Sequence, residues 1–187
     1  MKNTLQFVNG PMGSSKTATA LMARFEYIQK GFGVTLLKPS LDTRDGICTI
    51  RSRIGLEAEA QVIYPGSDIR AMVQSAGNPI IIVDEAQFLS TSQVNTLREL
   101  ADNDYTVICY GLKTDFQTNL FEGSKRLLEL ADVVTELEVV CKCGRKAIIN
   151  ARLDAMGNVI TEGDVVDCGM HYESMCYHCW KQHTQGA

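Results

Sequence analysis

Three groups of residues in this chain have types and spacings suited to chemistry. Gly10-Pro11-Met12-Gly13-Ser14-Ser15-Lys16-Thr17 departs from the phosphate-binding pattern G-x-x-x-x-G-K-[ST] at one place, where Ser15 stands for a glycine. Backbone N–H groups at a helix N-terminus, backed by the positive end of the helix dipole, hold anions. In such a loop Lys16 reaches the β- and γ-phosphates of a nucleoside triphosphate and Thr17 ligates Mg²⁺. The second group, Asp84-Glu85, ends the apolar run Pro79–Val83. Asp84 is suited to hold Mg²⁺ through water, which leaves Glu85 to act on whatever attacks the phosphate. The third group is Cys141-Lys142-Cys143 with Cys176-Tyr177-His178-Cys179, two close thiol pairs with about 32 residues between them. Four thiolates so spaced suit a tetrahedral Zn²⁺ with no open position, hence a structural metal. Spacing favours Cys179 as the fourth ligand, with His178 as the alternative. A weaker signal is Asp42-Thr43-Arg44: Arg44 is suited to neutralise transferring phosphate and Asp42 to assist the metal, although a solvated salt bridge fits the same residues.

Positioning these groups requires strand ends and helix starts. Thr4–Val8 reads as a buried strand running into the glycine loop. Thr17–Lys30, with apolar residues at Ala18, Leu21, Met22, Phe25 and Ile28, reads as the helix after it. Val34–Leu37 is a second strand, ended by Pro39. Ile80–Val83 is β-branched throughout, as in a strand buried on both faces. Val94, Leu97 and Leu100 mark a helix capped by Ser90 or Thr91. Thr106–Tyr110, Ser124–Ala131 and Val133–Val140 follow as strand, helix and strand. Strands alternating with helices predict a parallel sheet with crossover helices. Residues 44–66 read as a loop or a short strand pair. Beyond about Val140 the sequence predicts a hairpin, Ala147–Asp154 and Val159–Thr161 around Met156-Gly157-Asn158. That last part, about 47 residues, is too small to bury a core without a staple.

Composition narrows the function. The chain has 187 residues, 45% hydrophobic, with a formal net charge of −4. No basic face stands out, which disfavours nucleic-acid binding. No apolar run reaches membrane-spanning length and no signal peptide opens the sequence, so a cytoplasmic protein without membrane contact is expected. Seven cysteines, an odd number, argue against a disulfide framework.

The sequence resembles the P-loop, zinc-containing (type II) thymidine kinases. The resemblance runs over nearly the whole chain: GPMGSSKT, the D-x-R of Asp42 and Arg44, SRIGL at Ser52–Leu56, DEAQFL at Asp84–Leu89, and CYGLKTDFQTNLFEG at Cys109–Gly123. It continues through CKCGRKA at Cys141–Ala147 and RLDAMGNVITEGDVV at Arg152–Val166 to Tyr172 and Cys176. The fold it implies is α/β: a P-loop NTPase-like parallel sheet flanked by helices (residues 1–138) and a zinc-ribbon-like lasso domain (residues 139–187). The activity it implies is transfer of the γ-phosphoryl of ATP, with Mg²⁺, to the 5′-hydroxyl of thymidine or a similar pyrimidine deoxynucleoside, in a homotetramer. Glu85 matches the family's base. Gly10–Thr17, Asp42, Arg44, Asp84 and Gln87 match its ATP and phosphate site. Met12, Phe88, Leu112, Phe116, Val165, Val166 and Tyr172 match its nucleoside enclosure, and Cys141, Cys143, Cys176 and Cys179 its zinc site. The lasso, about Arg152–Tyr172, departs from the family: one glycine, Gly169, stands where a Gly-Gly pair is usual, and the segment is shorter. The alternative reading is a P-loop NTPase that couples hydrolysis to a partner docked on the zinc module.

Overall fold

The computed structural model describes residues 3–43, 46–165 and 171–185. In chain order, β1 (Leu5–Asn9) leads through the glycine loop into α1 (Lys16–Gln29). β2 (Val34–Pro39) is followed by a hairpin of β3 (Thr49–Arg51) and β4 (Glu57–Glu59), then by β5 (Gln61–Ile63) and α2 (Ile69–Ala76). β6 (Ile80–Val83) runs into a 3-10 turn (Ala86–Phe88) and α3 (Thr91–Asp102). β7 (Thr106–Gly111), α4 (Glu122–Leu130) and β8 (Val133–Glu136) come next. The remainder is β9 (Val139–Val140), β10 (Lys146–Ala147), β11 (Ile149–Leu153), β12 (Val159–Ile160), β13 (His171–Met175) and α5 (Tyr177–Gln185).

Six strands form one parallel sheet in the order β5-β2-β6-β7-β1-β8. The central strand β6, Ile-Ile-Ile-Val, is apolar without interruption because both its faces are covered. Ile81, Val83, Val107, Cys109, Leu5 and Phe7 pack with Val73, Val94, Leu97, Leu100 and Leu127 of α2, α3 and α4. The alternate residues Ile80, Ile82, Ile108 and Tyr110 pack with Ala20 and Leu21 of α1 and with Ile50 of the β3–β4 hairpin. Because all six strands run the same way, the loops after β1, β2, β6 and β7 emerge along one edge, where ligands bind in such sheets. Register aligns them: Cys109 faces Val83 on one side and Phe7 on the other. The ends of β1 and β6 are therefore two strand spacings apart, about 10 Å, with only β7 between.

The structure differs from the sequence expectations in four places. The predicted strand Val133–Val140 is two strands in different sheets: β8 pairs with β1, and β9 pairs with β10. The chain leaves the large sheet at Leu137, whose N–H still bonds to the Asn9 carbonyl at 2.7 Å. β2 continues to Pro39, its last residue, and the ladder bond beyond it is made by Ser40 N–H to the Ile63 carbonyl at 2.8 Å, so the missing proline donor costs nothing. β5 and α2 lie in a region read as loop or without assignment. A helix, α5, closes a segment for which the sequence reading gives only a hairpin.

In the last part, β11 pairs antiparallel with both β12 and β13. A separate cluster of Cys141, Ala147, Ala151, Leu153, Met175 and Cys176 forms its interior. Arg44 and Val166, like Gly169, lie outside the described residues. No described helix is long and apolar enough to cross a membrane.

Candidate active site and metal centre

The glycine loop joins β1 to α1 with a tight backbone. Ser15, at the N-cap of α1, is left-handed (φ 62°, ψ 23°), a conformation that the glycine of the common motif adopts without strain. Lys16 is 8% exposed and donates to the carbonyls of Gly10 (2.8 Å) and Pro11 (2.9 Å) and to Ser14 Oγ (3.2 Å). Gly10 is packed too closely for any side chain: a Cβ there would lie 2.5 Å from the Leu137 carbonyl oxygen.

Asp84 and Glu85 follow β6 directly. Asp84 is 3% exposed, and its backbone N–H bonds to the Leu37 carbonyl at 3.0 Å. Burial, reinforced by the neighbouring Glu85 charge, pushes its pKa up to about 7, against a hydrogen bond from the Thr17 side chain and the nearby Lys16 charge. The motif at the end of β1 and the acid at the end of β6 thus meet across β7. A carboxyl whose pKa is raised on folding binds its proton more tightly in the native state, so stability falls as pH rises from about 4 to about 7. Asp84→Asn removes this penalty. The variant is expected to unfold at higher denaturant than wild type at pH 8, by a few kcal/mol. The difference should shrink steadily toward pH 5, a pattern that urea melts across this range check directly.

Glu85 adopts a positive φ of 52°. Non-glycine residues in this region carry strain that surrounding structure must hold in place. The holding group is Gln87, 2% exposed, whose Nε2 donates to Glu85 Oε2 at 2.5 Å and whose Oε1 accepts from Leu112 N–H at 3.0 Å. Its amide is engaged by the candidate base and by the loop after β7. The start of α4 clamps the same turn: a Cβ on Gly123 would lie 2.6 Å from the carbonyls of Ala86 and Leu89.

Met12, Gly13, Ser15, Lys16, Thr17, Asp42, Asp84, Glu85 and Leu112 line one open cleft of about 590 Å³, walled on the far side by Arg51–Gly55 of the hairpin turn. Asp42 is held there by Lys38, fully buried, whose Nζ is 3.1 Å from Asp42 Oδ2 and donates to the Thr49 carbonyl at 2.9 Å. Lys38 has no local motif that marks it; only the fold brings it under the Asp42 loop.

The candidate nucleoside residues fall into three groups. Met12 and Leu112 line the cleft. Phe88 packs edge-on against Phe121, ring centroids 5.7 Å apart. Phe116 and Tyr172 instead flank Arg152, which sequence reasoning missed. Its guanidinium stacks 3.7 Å from the Phe116 ring centroid, and Nε donates to Tyr172 Oη at 3.0 Å. Arg152 also donates to the carbonyls of Asp164 (2.5 Å) and Val165 (3.4 Å), and Gln117 Nε2 donates to the Thr161 carbonyl at 3.0 Å. The main chain at Thr161, Asp164 and Val165 is therefore tied down beside Phe116.

The sulfurs of Cys141, Cys143, Cys176 and Cys179 all lie within 4.8 Å of one another, with those of Cys143 and Cys176 3.5 Å apart. Thiolates about 2.3 Å from a tetrahedral zinc sit about 3.8 Å from each other, so the donor set fits that ion in number, type and spacing. His178 is exposed and is not in the cluster. The backbone N–H of Cys179 donates to Cys176 Sγ at 3.5 Å, and this bond leads in lowering the Cys176 thiol to about 6.

Comparison with known proteins agrees with this geometry. The family model "Thymidine kinase" matches residues 3–180. The thymidine kinase of Enterobacteria phage T4 is 42% identical over 188 residues, covering 97% of each chain. That of Vibrio cholerae is 40% identical, covering 95% of this chain and 96% of its own. That of Rhodopirellula baltica is 39% identical, covering 92% of this chain and 85% of its own. A glycine loop and an acidic strand end that share one cleft, a four-cysteine cluster, a family-model match over residues 3–180 and about 40% identity over nearly the whole chain place it in the thymidine kinase family.

Proposed function

We propose that the protein phosphorylates thymidine on its 5′-hydroxyl, with ATP as donor. The observation that carries this reading is that Lys16 and Thr17, in the turn after β1, line one cleft with Asp84 and Glu85, which follow β6. The backbone N–H groups of Gly13–Thr17 cradle the triphosphate. Lys16 exchanges its carbonyl partners for the β- and γ-phosphate oxygens. Thr17 hydroxyl and Asp84 carboxylate are oxygen donors suited to Mg²⁺, which when bound neutralises charge on the transferring phosphoryl group. Glu85, oriented by Gln87, takes the proton of the 5′-hydroxyl as that oxygen attacks. Asp42 and Arg44 add to the phosphate side. Phosphoryl transfer has a loose transition state, so positioning and charge neutralisation supply most of the acceleration.

Met12, Phe88, Leu112, Phe116, Val165, Val166 and Tyr172 enclose the nucleoside in this proposal. The division is a nucleotide domain, residues 1–138, and a small domain, residues 139–187, in which Cys141, Cys143, Cys176 and Cys179 would hold zinc and so clamp the ends of the lasso, letting it present its main chain to the base. Unmatched buried polar groups then penalise the wrong base. An exposed apolar strip on and after α1 (Met22, Phe25, Ile28 and Phe32) supports assembly into the homotetramer. Free cysteines throughout the described residues fit the reducing cytoplasm.

The test is ADP formation measured with and without thymidine. The proposal expects ADP release only with the nucleoside and in equal amount to dTMP; release indifferent to nucleoside contradicts it. The loop carries its own check. Ser15→Gly relieves a left-handed serine, gaining about 1–2 kcal/mol of backbone strain, against about 0.5–1 kcal/mol of added unfolded-state entropy. The variant should keep wild-type ATP affinity by calorimetry and melt at or slightly above the wild-type temperature.

A further inference from the structure

The metal-bound part of the chain reaches the phosphate loop through two side chains that no motif marks. Asn150 on β11 is 3% exposed, and its Oδ1 accepts the Met12 N–H at 2.7 Å. Ser174 on β13, directly opposite Asn150 in the antiparallel register, donates its hydroxyl to the Met12 carbonyl at 2.5 Å. Both polar groups of one loop residue are thus held by one cross-strand pair. Asn150 Nδ2 also donates to the Thr114 carbonyl at 3.0 Å, in the segment that carries Leu112 and Phe116.

Met12 lies in the loop between β1 and α1, directly before Gly13, which is left-handed at φ 80°. With its N–H committed to Asn150, the anion cradle must be built from the N–H groups that follow, and their direction depends on how the Met12 peptide is set. We propose that Asn150 and Ser174 are positioning residues for the phosphate loop, so that the metal-clamped module sets ATP affinity as well as nucleoside enclosure. This rests on the ATP-binding part of the reading above. A strand pair otherwise remote in sequence from the loop, 138 and 162 residues away, thereby takes part in nucleotide binding.

The experiment uses the zinc-loaded full chain and a non-hydrolysable ATP analogue with Mg²⁺, without thymidine. A neutral hydrogen bond is worth about a two- to tenfold change in an equilibrium constant. Ser174→Ala is expected to weaken the analogue by that factor with zinc content unchanged, and Ser174→Thr, which keeps the hydroxyl, to restore it. In turnover the KM for ATP should rise more than kcat falls. As a second readout, hydrogen exchange at the Met12 amide should quicken about tenfold in Asn150→Ala, while the β6 amides keep their protection. Unchanged analogue affinity in Ser174→Ala, or unchanged Met12 exchange in Asn150→Ala, overturns the proposal. If wild type binds no analogue, the ATP reading fails, and the exchange measurement still decides whether Asn150 holds the loop. If wild type binds the analogue but leaves thymidine unphosphorylated, the kinase reading fails and the affinity arm remains decisive.

Discussion

Replacing Glu85 by glutamine is expected to lower kcat by about 10²–10⁴, the usual contribution of a positioned general base, while the Kd for ATP stays close to wild type. The change keeps the shape of the side chain and its contact with Gln87, since a glutamine carbonyl still accepts the Nε2 donation now made at 2.5 Å. It removes only the capacity to take a proton. Single-turnover phosphorylation of thymidine, with ATP binding measured separately by calorimetry, distinguishes this from a loss of positioning. A rate within threefold of wild type would take Glu85 out of the catalytic role. The comparison Gln87→Leu should lie between the two, because it leaves the carboxylate chemistry intact but frees a residue held at a positive φ.

The second large effect is expected from Cys141→Ser. Cys141 is buried in the small C-terminal cluster, whose apolar members are few and mostly small. Apparent binding energies for structural zinc, on the order of 10–16 kcal/mol, exceed what such a core supplies by itself. Losing one thiolate should drop zinc content from one per chain toward zero and open residues 139–185 to limited proteolysis, with the six-stranded sheet still resistant. Because two of the four ligands are Cys176, between β13 and α5, and Cys179, on α5, cleavage should concentrate between β12 and α5. Full zinc occupancy with an unchanged digestion pattern would show that this centre does not hold the module together.

The large sheet was legible because its strands are buried on both faces. Ile80–Val83 leaves no other role for four consecutive β-branched residues, and α3 announces itself through the Ser90–Gln93 capping box. α2 was missed although both its ends are marked: Asp68 accepts the Ala71 N–H at 3.0 Å, and Gly77 follows with φ 65°. The helix is short, and the uncertain stretch before it obscured the signal. α5 was missed because Cys176 and Cys179 drew attention as ligands, while their spacing also fits the helix turn on which Cys179 lies. β8 and β9 were merged because β-branched residues, Val133–Thr135 and Val139–Val140, lie on both sides of Glu136-Leu137-Glu138, where the chain passes from one sheet to the other with no glycine or proline to mark the change.

The site divides the same way. Residues that belong to local motifs (Lys16, Thr17, Asp84, Glu85 and the four cysteines) could be found by spacing, and the structure brings the first four into one cleft and the cysteines into one cluster. Asn150 and Ser174 act on Met12, 138 and 162 residues away, so no local pattern could reveal them, and Arg152 and Lys38 belong to no motif that marks their partners. Gln87 lay within a recognised motif, but its bond to Leu112 depends on β6 and β7 being neighbours.

The most direct test is a crystal structure with thymidine and a non-hydrolysable ATP analogue bound together with Mg²⁺. The account predicts Lys16 and Asp84 on one triphosphate, with the thymidine 5′-oxygen about 3 Å from the Glu85 carboxylate and about 3–3.5 Å from the γ-phosphorus, in line for attack. A nucleoside bound away from Glu85, or a triphosphate that engages Lys16 while Asp84 faces elsewhere, would contradict it.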